Sequence, residues 1–147
     1  MIIQNFIEDE INLIISPHHP FSKKKKINKK DLYYLKFLTL KSNSSIQRFI
    51  NNLLIRNQIN PQQLNINMEF NSIEAIKTAV SLGFGAAFIS SSAIKKELRL
   101  KELEVLQIEN TRLMRTLSIV SNSEYCKSKS FEVFYNELFR LKTALEN

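Results

Sequence analysis

Glycine is almost missing from this chain: there are two, Gly83 and Gly85, and they sit together. No glycine-rich elbow is left elsewhere to present a nucleophile. Cysteine is scarcer still. The single Cys126 cannot form an internal disulfide, which fits a reducing compartment. It reads as a small, semi-apolar residue near a helix start. One cysteine and two adjacent histidines, His18 and His19, are too few for a Cys/His metal site. No apolar run approaches the ~18 residues needed to cross a bilayer, so no membrane partner is expected. Met1 to Phe6 lacks the basic, long apolar and small-residue regions of a secretory signal.

What is present suits one domain, or a domain plus a fragment, in 147 residues of which 44% are hydrophobic. The net charge is +7 and the pI about 9.6. Such a balance points to nucleic acid, anionic lipid or an anionic ligand. A plainer cause competes with these. Ile, Asn and Lys make up about a third of the chain. All three have AT-rich codons, so an AT-rich genome, a plastid genome for instance, produces the same bias without selection for charge.

Along the chain, Ile11 to Ile15 is a short apolar run that reads as a buried strand. Pro17 and Pro20 then exclude helix and impose an extended or turn path. Lys23–Lys26 and Lys29–Lys30 read as a solvated charge run in a loop. Asp31 is a candidate N-cap of a short helical turn. Phe37–Leu40 reads as a second buried strand, ending in the polar run Lys41 to Ser45. From Ile46, apolar residues recur at helical spacing through Leu54. Asn65–Phe70 alternates like a strand, and Asn71-Ser72 caps a helix whose apolar face is Ile73, Ile76, Ala79 and Val80.

Gly83 fits a helix C′ position, and Gly85 a tight path into the strand Ala86–Ile89. A helix follows over Ala93–Leu98, then strands over Leu103–Ile108 and Leu113–Val120. The last helix spans about Lys129 to Leu145, and Phe131, Phe134, Tyr135, Leu138, Leu141 and Leu145 read as its core-facing stripe. Strands alternating with helices predict a parallel sheet with crossover helices.

Several segments of this sequence resemble LysR-type transcriptional regulators. Asp9-Glu10-Ile11 through His19-Pro20-Phe21 resembles the opening of the second lobe of that family's effector-binding domain. Asn71 to Lys77, with Ala79-Val80 and Gly83-Phe84-Gly85, resembles its most specific signature. Leu40 to Ile46 resembles the loop-to-helix turn that faces the effector. Ser42-Asn43-Ser44-Ser45 is closest to the subgroup that regulates Rubisco operons in plastids and cyanobacteria. Met114-Arg115 to Val120 and Phe131 to Leu138 resemble the closing strand and helix.

The resemblance runs from about Glu8 to Leu141 and implies an α/β, type 2 periplasmic-binding-protein-like fold. One complete doubly wound lobe is expected over residues 9–89. The returning part of a second lobe is expected over 90–147. The front of that lobe and the family's winged helix-turn-helix are not in the sequence, which suggests a truncated reading frame. Apolar edges over Leu103–Val120 are then expected to be exposed.

Ser42 to Ser45 is the best candidate site on the residues alone. Small hydroxyls lie where a strand ends and a helix begins. Unpaired helix amides and the macrodipole favour an anion there. N-capping by Ser44 or Asn43 explains the same residues. Asn71 and Ser72 repeat the geometry at a second helix N-terminus, with capping again the plainer account. The resemblance favours effector contact at Ser42, Asn43, Ser44 and Ser45, with Asn71 and Ser72 as further candidate effector-binding residues. It implies no cofactor, metal or catalytic residue. The expected ligand is a small anionic metabolite in an interlobe cleft, such as a phosphorylated sugar acid or a nicotinamide nucleotide. DNA contact is expected only through the missing N-terminal domain, and homo-oligomers in the full-length form. The expected location is the plastid stroma or, alternatively, a bacterial cytoplasm. A stand-alone small-molecule-binding protein and a non-functional gene fragment are the competing readings.

Overall fold

The computed structural model describes Met1 to Glu146, without the side chains of Tyr125, Leu145 and Glu146. Its strands are β1 (Ile2–Ile15), β2 (Lys26–Ile27), β3 (Lys36–Leu40), β4 (Asn65–Phe70), β5 (Ala87–Ser90), β6 (Glu104–Ile108) and β7 (Leu113–Ser121). Its helices are α1 (Ser45–Arg56), α2 (Ile73–Ser81), α3 (Lys95–Arg99) and α4 (Lys129–Glu146). Contacts divide the chain into Glu10–Leu113 and a second unit of Met1–Asp9 with Met114–Asn147. Within the first unit, Leu106 and Val105 of β6 register with Leu13 and Ile14 of β1, which ties the segment after Ser90 to β1.

The buried strands read from the sequence are all present. Strand β1 is longer than its apolar run, and β5 begins one residue later than expected, with Ala86 held in an isolated bridge to Phe37. The predicted all-parallel sheet is not observed. Strands β3 and β4 are parallel, as are β2 and β6, but β1 is antiparallel to both β5 and β6. The crossover rule holds only where a helix carries the chain back. It does so through α1, between β3 and β4. Between β1 and β3 there are only two 3-10 turns and the short β2, so that rule does not constrain β1.

Alternation along the strands sends side chains into two cores. Leu13, Ile15, Phe37, Ala86 and Phe88 pack with Ile50, Leu53 and Leu54 of α1. Ile14, Leu38, Leu40, Ala87 and Ile89 pack with Ile76, Ala79 and Val80 of α2. The Phe37 and Phe88 rings stack with centroids 5.4 Å apart. Helices thus cover both faces, the doubly wound arrangement expected. Both glycines have the predicted roles. Gly83 has φ +85°, and the Gly83 and Phe84 amides bond Val80 and Ala79 carbonyls in a Schellman closure of α2. A Cβ at Gly85 would lie 2.7 Å from the Lys36 carbonyl oxygen.

Several local expectations change. Pro20 does not exclude helix; it opens a 3-10 turn, Pro20–Lys24, because its fixed φ suits a first helical position. The lysine run is not a plain loop, since it continues through β2 and a second 3-10 turn, Lys29–Tyr34. Asn28, not Asp31, caps that turn; Asp31 closes the reciprocal half of a capping box. The helix expected over Ala93–Leu98 is a 3-10 turn, Ser91–Ala93, followed by the five-residue α3. Leu103, Leu106, Ile108 and Leu113 are buried, so exposure in that stretch is confined to Leu117 and Val120 among its large apolar residues.

The largest correction concerns α4. Its stripe is not core: Phe134 and Leu141 are exposed, while Phe131, Tyr135 and Leu138 are half-buried. The Leu145 side chain lies outside the described residues. An aromatic-rich helix admits more than one apolar phase. Here the inward side is set by a ladder of Phe131, Tyr135 and Phe139, with Phe139 edge-on to Phe6 of β1 at 5.6 Å.

Candidate functional site

Strands β3 and β4 run side by side and end opposite each other, Leu40 against Phe70. Each then enters a short polar turn and a helix. The Lys41 amide bonds the Phe70 carbonyl at 3.0 Å, which locks the two turns together. Parallel pairing therefore brings two helix N-termini to one sheet edge. Between them is an open hollow of ≈ 600 Å³, lined by Asn43, Ser44, Asn71 and Ser72 together with Lys41 and Ile46.

Four of the six residues singled out in the sequence meet there. The other two do not. Ser42 lines a neighbouring hollow of ≈ 180 Å³ with Gln47, Asn51 and Glu69. Ser45 is exposed at the first position of α1 and lines neither hollow.

Both hydroxyls at the hollow also cap. The Gln47 amide donates to Ser44 Oγ at 3.4 Å and the Ala75 amide to Ser72 Oγ at 3.1 Å. Capping takes the third amide of each helix. The first two, at Ser45 and Ile46 and at Ile73 and Glu74, have no intrahelical carbonyl to bond. Two positive helix ends thus face one hollow, and Lys41 lines it. Glu74 is the opposing charge, and its carboxylate is bound by Lys77 at 2.9 Å. The arrangement can hold an anion without any covalent chemistry.

Two supporting residues escaped the sequence reading. Gln47 is buried; its Oε1 accepts from the Leu40 amide at 3.1 Å and its Nε2 donates to Asn51 at 3.0 Å. It pins the start of α1 to the end of β3. The Ser44-x-x-Gln47 spacing, a capping-box pattern, was the available signal. Lys77 is the other. Its ammonium is saturated by Glu74, Glu97 at 2.8 Å and the Ala93 carbonyl at 3.0 Å. Burial alone would lower its pKa, but the bonds to Glu74 and Glu97 outweigh burial and raise it. The same bond from Lys77 holds Glu97 below its ordinary value. A lysine on an otherwise apolar helix face was the only hint of this strut.

His19 is structural: its Nδ1 accepts from the Phe21 amide at 3.0 Å and caps the first 3-10 turn. His18 is exposed. Cys126 is a half-buried free thiol bonding the Asn122 carbonyl at 3.2 Å. Among the described residues no group of three His, Cys, Asp or Glu could hold a metal ion, and no helix is long and apolar enough to cross a membrane.

Comparison with known proteins decides the family. The family model of the LysR substrate binding domain matches residues 1–141. The chain belongs to that family. Its curated relatives include the "Probable RuBisCO transcriptional regulator" of the diatom Phaeodactylum tricornutum, 60% identical over 147 residues, all of this chain and 48% of the relative. The protein of the same name from Thalassiosira pseudonana is 63% identical over 142 residues, 95% of this chain and 46% of the relative. Relatives of that name also come from red algae and a cyanobacterium, at 46% and 45% identity. The chain spans about half the length of these relatives. Among solved structures it is similar to the CcmR regulatory domain of Synechocystis PCC6803 in complex with 2-PG. The TM-score is 0.81 at 23% identity, covering 96% of this chain and 66% of that one. It is also similar to the effector binding domain of QuiR in complex with shikimate, with TM-score 0.74, 18% identity, and coverage of 97% and 66%. These likenesses establish the type 2 periplasmic-binding-protein-like fold.

Proposed function

We propose that this LysR-family chain is the effector-sensing part of a regulator of the Rubisco genes, and that it holds a small anionic metabolite where α1 and α2 begin. The pairing of Leu40 with Phe70 carries this reading, because it places two helix N-termini, Lys41 and the side chains of Asn43, Ser44, Asn71 and Ser72 at one hollow. The names of the relatives support the regulatory role, and the ligand-bound titles of the neighbours support small-molecule sensing. On this reading the chain performs no covalent chemistry. DNA is read by an N-terminal domain outside this sequence, the full-length protein is a homo-oligomer, and it works in the plastid stroma.

Calorimetry with 2-PG as the first probe, and inorganic phosphate beside it, tests the site. Ser44→Asp places a fixed negative charge at the hollow while keeping a good capping residue. A lost charge-assisted hydrogen bond is worth about 1.5–3 kcal/mol, so affinity is expected to fall more than tenfold. Ser45→Asp is expected to act more weakly, since Ser45 does not line the hollow. Unchanged affinity in Ser44→Asp would mean that the turn is only a cap.

A further inference from the structure

The positive charge of this chain is not spread along it. Six of its 21 basic residues are the lysines at 23–26, 29 and 30, and none of its 14 acidic residues lies among them. That eight-residue stretch carries +6 of the net +7, which leaves the rest of the chain at +1. A codon bias alone would scatter lysines evenly, so composition does not account for this concentration.

The fold presents the stretch on a fixed platform. Ile27, its one apolar side chain, is buried. The Lys25 carbonyl accepts from the Gln107 amide at 3.0 Å and the Ile27 carbonyl from the Glu109 amide at 2.8 Å, so β2 is bonded along β6. The His19 cap holds the 3-10 turn before it and the Asn28–Asp31 capping box the 3-10 turn Lys29–Tyr34. Every lysine of the stretch except the half-buried Lys29 is exposed. Among the described residues none of the six forms an ion pair. Lys24 lies over the Phe21 ring at 4.5 Å, and Lys29 bonds the Gln58 side chain at 3.2 Å. Glu10, which lines a hollow with Lys26, is bound by Arg112. Asp31 is engaged in its capping box and Glu104 accepts from Ser22, which leaves Glu109 at the end of the β2–β6 ladder.

We infer that the Lys23–Lys30 platform is a docking surface for the phosphate backbone of duplex nucleic acid, bound without regard to sequence. Charge complementarity carries the inference: a dense row of uncompensated ammonium groups matches a regular array of phosphates. Lysine supplies point charges, and the stretch has no arginine fork to read base edges, so phosphate contact without base readout follows. With Ile27 turned inward, the stretch itself offers no apolar wedge to a lipid surface. The inference is independent of the effector site, which lies at the ends of β3 and β4.

The test is fluorescence anisotropy of the whole chain with two labelled duplexes of unrelated sequence, across a salt series. Equal affinity for both is expected, falling steeply with salt. The combined variant Lys23→Gln, Lys24→Gln, Lys26→Gln, Lys30→Gln leaves Lys25, which has φ 57°, and the bonded Lys29 in place. It should bind at least tenfold more weakly at low salt. Its log–log salt slope should shrink by roughly 0.9 for each lysine that touches phosphate. An equal loss of charge elsewhere, Lys95→Gln, Lys96→Gln, Lys127→Gln and Lys129→Gln, should change affinity less than threefold. Equal effects of the two variants would overturn the inference by reducing it to net charge. So would a strong preference for one duplex, or tighter binding to vesicles of phosphatidylglycerol and phosphatidylcholine than to either duplex at the same salt.

Discussion

Every buried hydrophobic side chain among the described residues lies between Ile11 and Leu113, whereas in Met1–Asp9 and Met114–Glu146 the buried residue is a charged one, Asp9. The two units thus differ in kind. The first is held by two cores on opposite sides of its strands. The second is held by polar links and rings: Arg115 to Asp9 at 2.6 Å, Thr116 to Glu8 at 2.7 Å, and the Phe6–Phe139 contact. Burial of apolar surface is the larger stabilising term; the exposed Thr116–Glu8 pair contributes little, and the attraction within the buried Arg115–Asp9 pair is largely offset by its own desolvation. The first unit should therefore open only with global unfolding, and α4 well before it.

Core deletion makes the largest expected difference between the units. Leu54→Ala removes a side chain that is 1% exposed and packed between α1 and the sheet. A loss of about 2–5 kcal/mol is expected in urea unfolding. Phe134→Ala in α4 removes a larger side chain that is 62% exposed, and a loss below about 0.5 kcal/mol is expected there. Similar losses from the two would sink the contrast. Gly85→Ala should fall between them, at about 1–3 kcal/mol, because its Cβ would meet the Lys36 backbone rather than a flexible side chain.

How well the sequence could be read follows the same division. In the first unit the core-facing signals agreed with their surroundings, while the short turns at Pro20, Asp31 and Ala93 did not follow theirs. The short apolar runs, the polar turns before α1 and α2 and the Gly83 closure were each legible, because one core-facing pattern fixes one phase. The hollow was half legible: Ser44 and Ser72 follow from capping, but their meeting depends on the parallel register of β3 and β4. Ser42 and Ser45 fell outside the hollow because one turn points successive side chains in different directions. Gln47 and Lys77 were missed because a buried polar group is identified by partners on other elements, here Leu40 of β3 and Glu97 of α3. In α4 the pattern was ambiguous from the start. A helix with aromatics on several faces does not state which face is covered, and two of the five described stripe residues, Phe134 and Leu141, are exposed.

Charge removal at the Lys77 strut should have a smaller effect that depends on pH. Glu97→Gln weakens the bond to Lys77 and is expected to cost about 1–3 kcal/mol at neutral pH. Lys77 lowers the Glu97 pKa from its ordinary 4.5 in the folded chain. The carboxylate therefore contributes fully above 4.5, and the contribution is lost as pH falls through the lower folded value. The difference in unfolding free energy between the parent chain and Glu97→Gln should stay level from pH 6 to 8 and close below about pH 4.5. A difference that persisted unchanged at pH 3 would show that packing, not charge, sets the effect.

The smallest expected effect sharpens the comparison from within the packed unit, at a half-exposed turn. Burial lowers the His19 pKa from its ordinary 6.5, and its Nδ1 accepts from the Phe21 amide at 3.0 Å, a bond that only the unprotonated nitrogen can make. Both facts disfavour the imidazolium in the folded chain. The unfolded chain therefore binds the proton more readily. Stability from this residue is complete above pH 6.5 and declines as pH falls through 6.5 toward the folded pKa. An NMR titration of the ring protons should place His19 below its ordinary 6.5. His19→Gln should flatten the small slope of stability near pH 6, because glutamine can accept at the same cap without taking a proton. A His19 titration at or above 6.5, with the slope unchanged in the variant, would mean that the Phe21 cap is not maintained in solution and that the first 3-10 turn is no firmer than the α4 surface.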